Sequence, residues 1–183
     1  MAIHVMQVKV IDRGWEGVKE RVAALRGGGA TVSIGVQGAQ AAANHQGTSL
    51  TVAQLATIHE FGKKIHHPKL GRTTIIPERS FLRATVDQYR DAIARRQVLL
   101  TQGYVLGKFD LAGAMELLGQ YVVGLVKQRI ANGIAPPNSP WTIARKGSSK
   151  PLIDTGQLRN SITYKVQIGG SVKRGAIEFR EGA

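Results

Sequence analysis

The sequence contains no cysteine, few aromatic residues and no long apolar run, and each of these absences excludes a class of protein. Without cysteine there are no disulfides, no thiolate catalysis and no cysteine-based zinc site. Aromatic residues are only 5% of the chain, so aliphatic side chains must form most of any core. No apolar run approaches 18 residues, and the N-terminus has no basic start followed by an apolar stretch. We therefore predict no membrane span and no signal peptide.

Acidic residues are also scarce. The chain has 12 Asp and Glu against 25 Lys and Arg, which gives a formal net charge of +13. The excess falls in two regions, Lys63 to Phe109 and Ile134 to Ala183, while the rest is close to balance. A surplus of this size indicates an acidic partner, either nucleic acid or an acidic protein surface. The alternative is a basic surface that only contacts water.

Periodicity in the first third predicts alternating strands and helices. Alternation predicts strands at Val5 to Ile11 and Ala30 to Val36, with an amphipathic helix from Gly14 to Leu25 between them. Gly38 to Thr48 reads as a loop, and Ser49 or Thr51 is placed to cap a helix over Val52 to Phe61.

The middle of the chain predicts a basic loop over Lys63 to Arg72, a short β-prone run over Thr73 to Ile76, and two long helices. Pro77 and Glu78 suit the start of the first helix, which extends to about Thr101. Asp110 is placed to start the second, which ends at Asn132 and Gly133.

The last third predicts a long loop and a terminal hairpin. The loop from Ile134 to Lys150 is rich in Pro, Ser and Lys and too long for an ordinary connection. Asp154 then reads as the cap of a short helical turn, with Gln157 reaching back. Alternation from Ser161 to Ile168, a glycine turn and a return strand over Ser171 to Phe179 predict a β-hairpin.

Together these elements predict a single α+β domain over residues 1–183. We expect a mostly antiparallel sheet built from the N-terminal strands and the C-terminal hairpin, with long helices packed on one face. We expect the loop over 134–151 to be extended and to act as an assembly strap.

Two sequence patterns resemble catalytic motifs but lack the rest of the chemistry. Asp154-Thr155-Gly156 is the triplet of aspartic proteases, but a long charged segment follows where a protease needs small residues. His59-Glu60 resembles the start of a zinc-protease helix, but Lys63 stands where the second histidine belongs. We therefore predict no enzymatic activity, no catalytic residue, no metal and no cofactor.

Basic and aromatic side chains are the candidate contact residues. Arg79, Arg83 and Arg90 would fall on one broad face of the first long helix, where they could follow a phosphate backbone or meet acidic residues of a neighbouring subunit. The long loop adds Trp141, Arg145 and Lys146 to these candidate subunit or DNA contacts.

Three phrases of the sequence, taken together, resemble a known family. They are QLATIHEFG (54–62), IPERSFLRAT (76–85) and PPNSPWTIARKGSSKPLIDTGQLRNSITYKV (136–166). Their order is similar to that in the neck, head–tail connector and tail-completion proteins of tailed phages and prophages, which are often labelled virion morphogenesis or minor tail proteins. The match covers roughly residues 50 to 168.

The resemblance implies a structural role in the virion, at the head–tail junction, after assembly in the host cytoplasm. It implies a homo-oligomeric ring of six or twelve copies that joins the connector, or portal side, to tail-terminator or tail-tube proteins. It also implies non-specific contact with packaged DNA, no enzymatic activity and a fold signature at Asp154, Gly156 and Leu158. The alternative is a sequence-independent nucleic-acid-binding protein that uses its basic surface.

Overall fold

The computed structural model describes residues 14–26, 29–46, 48–169 and 171–174, and it confirms the predicted α+β class. The helices of these residues are α1 Trp15–Arg26, α2 Ala39–Ala42, α3 Val52–Phe61, α4 Arg83–Gln88, α5 Arg90–Val105, α6 Leu111–Asn132, α7 Pro140–Lys146 and α8 Gln157–Asn160. The strands are β1 Ala30–Val36, β2 Lys63–His67, β3 Arg72–Ile76, β4 Ile162–Ile168 and β5 Ser171–Arg174.

The larger sheet joins strands from the two ends of the chain, as predicted. Its strand order is β1-β4-β5, and both pairs are antiparallel. Alternation in β4 buries Ile162, Tyr164 and Val166 on one face. The predicted strand at Val5 to Ile11 lies outside the described residues, as does the end of the last strand beyond Arg174.

Helix α6 forms the centre of the core because one whole side of it is apolar. Asp110 caps the helix by accepting a hydrogen bond from the Gly113 N–H at 2.7 Å, as its position predicted. The helix packs against β1, β4 and α5. Its fully or nearly buried residues include Ala114, Met115, Leu118, Val122, Val123, Val126 and Ile130. Among the described helices, none is long and apolar enough to cross a membrane.

Two predicted loops contain regular structure. The segment from Gly38 to Thr48 holds the short helix α2 and an isolated bridge between Asn44 and Thr51. The predicted basic loop is a β-hairpin, because Lys63–His67 pairs in full register with Arg72–Ile76. Strand β2 was not predicted because its residues are mostly basic and lack the apolar alternation typical of a half-buried strand.

The structure differs from two further predictions, the start of the first long helix and the long extended loop. The first long helix does not open at Pro77 and Glu78 but at Arg83, and it breaks at Tyr89 between α4 and α5. The long extended loop is not confirmed, because Pro140–Lys146 forms α7 within it. Ser139 caps α7 by accepting a hydrogen bond from the Thr142 N–H at 3.2 Å, a signal present in the sequence.

The predicted cap of the last short helix is also wrong. Helix α8 begins after Gly156, whose φ of 77° is left-handed, and no side chain caps it. Asp154 is exposed, whereas the Gln157 amide donates to the Asn44 carbonyl at 3.3 Å. The stretch therefore contacts the segment between α2 and α3 through Gln157 and does not use Asp154 as a cap.

The close approach of α6 to β4 at Gly119 gives a direct test of the packing. A Cβ on Gly119 would lie 2.5 Å from Cγ of Tyr164, whereas one on Gly124 of the same helix would meet nothing within 4 Å. We expect Gly119→Ala to lower the free energy of unfolding by about 1–3 kcal/mol through overpacking. Gly124→Ala, the matched control, should be neutral or raise it by up to about 1 kcal/mol. Urea unfolding measures both, and equal shifts for the two variants would contradict this packing.

Candidate functional site

The most connected polar group in the described structure is the carboxylate of Glu60, at the end of α3. Glu60 is only 4% exposed. Its Oε2 accepts hydrogen bonds from the N–H groups of Phe81 (2.8 Å) and Leu82 (3.0 Å). Its Oε1 accepts from the Arg83 N–H at 2.9 Å, the Ser80 hydroxyl at 2.7 Å and the Arg83 Nε at 3.2 Å. We call this group of residues the Glu60 clamp.

The Glu60 clamp supplies what α4 lacks locally. The first N–H groups of a helix have no acceptor within the helix, and a nearby Ser, Thr, Asp or Asn usually provides one. Leu82 stands at the cap position of α4 and offers no side-chain acceptor. A carboxylate from α3 therefore caps the helix across about 20 residues of chain, where the positive end of the helix dipole also favours a negative charge.

Neighbouring hydroxyls complete the first turn of α4. The Ser80 hydroxyl that donates to Glu60 also accepts from the Ala84 N–H at 3.1 Å. The buried Thr85 hydroxyl donates to the Phe81 carbonyl at 2.6 Å, and the Phe81 ring is fully buried in the core. The polar clamp and the apolar core are thus joined at one residue.

The environment of Glu60 favours its ionised form. Burial alone would raise the pKa of this carboxyl. The hydrogen bonds from the N–H groups of Leu82, Arg83 and Phe81 and from the Ser80 hydroxyl together outweigh burial and hold the pKa below its ordinary value. Glu60 is therefore a charged acceptor at neutral pH.

Arg83 covers the solvent side of the clamp. Its Nη2 donates to the Glu60 carbonyl at 2.9 Å and to Glu78 Oε1 at 2.8 Å. Its guanidinium carbon lies 4.4 Å from the centroid of the Phe61 ring, within the range of a cation–π contact. Arg83 begins α4, as predicted for a helical residue, but much of its donor capacity is used within the chain.

Arg79 is the second link of the site and lies outside any helix. It is 7% exposed, and its Nε and Nη2 donate to the carbonyls of Pro136 and Pro137 at 2.8 Å and 3.0 Å. Its own N–H donates to the His59 carbonyl at 2.7 Å. Burial lowers the pKa of Arg79, but a guanidinium stays charged in proteins. Buried and bonded in this way, Arg79 is not on a surface that could contact DNA.

A β-hairpin over Lys63–Ile76, which we call the basic hairpin, connects Glu60 in the chain to the residues that donate hydrogen bonds to its carboxylate. Glu60 precedes its first strand and Ser80 follows its second. At its base Gly62 has a φ of 72°, and a Cβ there would lie 2.9 Å from the Glu78 N and 3.0 Å from the Ile76 carbonyl oxygen. Only glycine fits this close approach. The base of the hairpin is therefore fixed from both sides.

The remaining candidate contact residues lie on α5 and α7. Arg90 is exposed and pairs with Asp87 at 3.1 Å. Trp141 is 69% exposed, and the Arg145 guanidinium carbon lies 5.0 Å from its ring centroid. Lys146 is the last residue of α7. The three arginines predicted to share a helix face therefore lie in different places. Arg79 is buried, Arg83 belongs to the Glu60 clamp, and Arg90 is on the surface.

The proposed fold signature is only partly buried. Leu158 is buried in the core cluster, Gly156 provides the left-handed turn before α8, and Asp154 is exposed. Among the residues that the structure describes, no group of three His, Cys, Asp or Glu side chains could hold a metal ion. The absence of catalytic residues, cofactor and metal stays a prediction.

The comparisons with known proteins gave no match to a protein-family model, a curated protein or a solved structure. The resemblance to virion proteins therefore stays an interpretation of the sequence phrases.

Sequence reasoning missed Glu60 as a site residue, because its partners lie 20 to 23 positions away. One signal was present in the sequence. An acidic residue in the last turn of a helix opposes the helix dipole, so Glu60 at the end of α3 needed compensating donors from elsewhere.

Replacing Glu60 tests the clamp directly. We expect Glu60→Gln to lower the free energy of unfolding by about 3 kcal/mol, since an amide removes the charge and turns an N–H₂ group toward buried donors. Glu78→Gln is the matched control, because Glu78 also contacts Arg83 but is exposed. It should cost at most about 1 kcal/mol in urea unfolding. Equal costs for the two variants would contradict a special role for Glu60.

The lowered pKa of Glu60 predicts a particular dependence of stability on pH. In the unfolded chain the carboxyl takes its ordinary pKa of 4.5, above its folded value. Between the two values the unfolded chain binds more protons, so stability increases with pH there. The contribution of Glu60 is complete above the unfolded value and is lost as the pH falls through the folded one.

Urea unfolding of the wild type and Glu60→Gln, from about pH 7 to about pH 3, measures this contribution. The difference in unfolding free energy between the two proteins should be constant near neutrality and shrink at acidic pH. A difference that persists unchanged to the lowest pH would show that the charge of Glu60 is not what stabilises the clamp.

Proposed function

We propose that the protein is a structural component of a tailed-phage virion that forms a ring at the head–tail junction. In this role it joins the connector, on the portal side, to tail-terminator or tail-tube proteins and leaves a passage for DNA. It is a homo-oligomer of six or twelve copies, located in the virion and in the host cytoplasm during assembly.

The observation that carries this proposal is that the three family-like phrases form one connected unit. Glu60 of the first phrase binds Ser80 to Arg83 of the second. Arg79 of the second binds Pro136 and Pro137 of the third. Residues that resemble the family are thus among those that hold distant segments together, as expected if the three phrases belong to one fold unit.

Helix α7 supports the proposal from the side of subunit contacts. A ring needs a patch on each copy that fits a different patch on the next. Tryptophan and arginine are enriched at protein interfaces, and here an exposed Trp141 stacks with Arg145 on a capped helix. The cation–π contact restrains both side chains before any partner binds, which lowers the entropic cost of association.

The alternative function is sequence-independent binding of nucleic acid. It is favoured by the net charge of +13 and by the exposed basic hairpin. The two functions are distinguished by assembly, because a nucleic-acid-binding protein of this kind needs no ring.

Electron microscopy tests the proposed function. We expect the purified protein to form rings, and particles that lack it to separate into full heads and free tails. A protein that stays monomeric at high concentration, together with intact particles in its absence, would contradict the proposal.

Replacing Trp141 tests the contact surface. We expect Trp141→Ala to abolish or strongly reduce ring formation, because an anchor tryptophan at an interface contributes about 2 kcal/mol or more. Its circular dichroism and thermal unfolding should match the wild type, because the side chain is exposed. Trp15→Ala is the matched control, since Trp15 is exposed to a similar extent on α1. If only the Trp15 variant fails to form rings, the subunit contact lies on α1, and its assignment to Trp141 is contradicted.

A further inference from the structure

The basic hairpin carries a concentration of positive charge that its own fold does not use. The residues from Lys63 to Ile76 contain no Asp or Glu. Their four cations are Lys63, Lys64, Lys69 and Arg72. All four cations are exposed. The ion pairs found within the described part of the chain involve none of these four.

The strands of the hairpin also contribute no buried residue to the core, although Ile65, His67 and Ile76 on one face are half-buried. No residue of either strand is buried, and the strands pair with each other. Cross-strand hydrogen bonds between His66 Nδ1 and the Thr73 hydroxyl (3.3 Å) and between His67 Nε2 and the Thr74 hydroxyl (3.1 Å) hold the ribbon together. A two-stranded ribbon that contributes no buried residue to the core leaves its exposed side chains, the four cations among them, available for a partner.

The register places charge on both faces of the ribbon. Residues paired across the strands share a face, so Lys63 and Arg72 lie on one face and Lys64 on the other. Lys69 lies in the turn at the tip. Five paired residues give a ribbon about 17 Å long, and the major groove of B-DNA, about 12 Å wide, admits a two-stranded ribbon. In that position phosphates lie on both sides of the ribbon.

We infer that the basic hairpin, Lys63–Ile76, contacts the phosphate backbone of double-stranded DNA without reading its sequence. This inference extends the proposed function, in which DNA passes the ring, and names the element that contacts it. The chemistry is charge neutralisation by the four exposed cations.

A second copy of the chain is a poorer occupant of this surface, because pairing two such hairpins would bring like charges together. An acidic protein surface offers the same sign of charge as DNA. DNA is favoured because a narrow ribbon with cations on both faces matches a groove lined by phosphates better than a flat protein surface.

The clamp determines how the hairpin is presented. Glu60 and Gly62 fix one end of its base, and the Glu60 hydrogen bonds to Ser80 and Phe81 fix the other. The cations are therefore carried on a hairpin whose base is fixed, which reduces the entropy lost when DNA binds.

The test uses the full chain and a fluorescent 30-base-pair duplex of arbitrary sequence, titrated at several NaCl concentrations. The test variant is Lys63→Gln/Lys64→Gln/Lys69→Gln/Arg72→Gln. The matched control, Arg26→Gln/Arg95→Gln/Lys108→Gln/Arg159→Gln, removes the same number of charges from exposed residues elsewhere. Circular dichroism and thermal unfolding confirm that each variant is folded.

We expect the hairpin variant to bind at least about tenfold more weakly at 0.1 M NaCl, with the slope of log K against log [NaCl] smaller by about 3 to 4. The control should keep most of the slope. If the four-site variant does not fold, the two-site variant Lys69→Gln/Arg72→Gln is used instead. Its slope should decrease by about half as much.

Equal losses for the test and control variants would overturn the inference, because they would assign binding to net charge alone. An unchanged slope in the hairpin variant would also overturn it, as would no binding of the duplex by the wild type at 0.05 M NaCl. The last result would favour an acidic protein surface as the partner. Ring formation by the hairpin variant is scored separately, so rings without DNA binding refute only this inference, and DNA binding without rings refutes only the proposed function.

Discussion

The chain that enters α4 presents N–H groups that need an acceptor, and the structure depends on how that need is met. Leu82 at the cap position provides none, so the Glu60 carboxylate reaches from the end of α3 to accept from Phe81, Leu82 and Arg83. Two unfavourable features cancel in this arrangement. A buried charge and an acid at a helix C-terminus are each destabilising, but together with three backbone donors and Ser80 they form a satisfied group.

Several other features follow from this arrangement. The clamp holds the end of α3 beside the start of α4, and the chain between them leaves and returns as the basic hairpin. Arg79 lies directly before the clamp and extends its reach to Pro136 and Pro137. The segment that carries α7 and the exposed Trp141 therefore begins at a fixed point. The Glu60 clamp and the adjacent Arg79 thus connect the two surfaces to which we assign DNA contact and subunit contact.

Much of the fold could be predicted from local pattern, and the candidate site could not. The strands Ala30–Val36 and Ile162–Ile168 and the helices α3 and α6 follow from apolar periodicity and from caps at Thr51 and Asp110. The β-prone run predicted over Thr73 to Ile76 is most of β3, but β2 escaped prediction because it is stabilised by pairing and not by burial. Pro77 and Glu78 suggested a helix start because their local chemistry suits one, while the real start depends on an acceptor about 20 residues away. Arg79 looked like a surface cation for the same reason, since its carbonyl partners lie 57 and 58 positions along the chain.

Hydrogen exchange of the N–H groups of Phe81, Leu82 and Arg83 tests the clamp most directly. N–H groups at the entry to an exposed helix usually exchange rapidly, because they have no acceptor within the helix. We predict that these three exchange as slowly at neutral pH as the N–H groups of the core strands β1 and β4, and that Glu60→Gln removes this protection while Glu78→Gln keeps it. Rapid exchange of all three in the wild type, at the rate of N–H groups in exposed loops, would contradict the account.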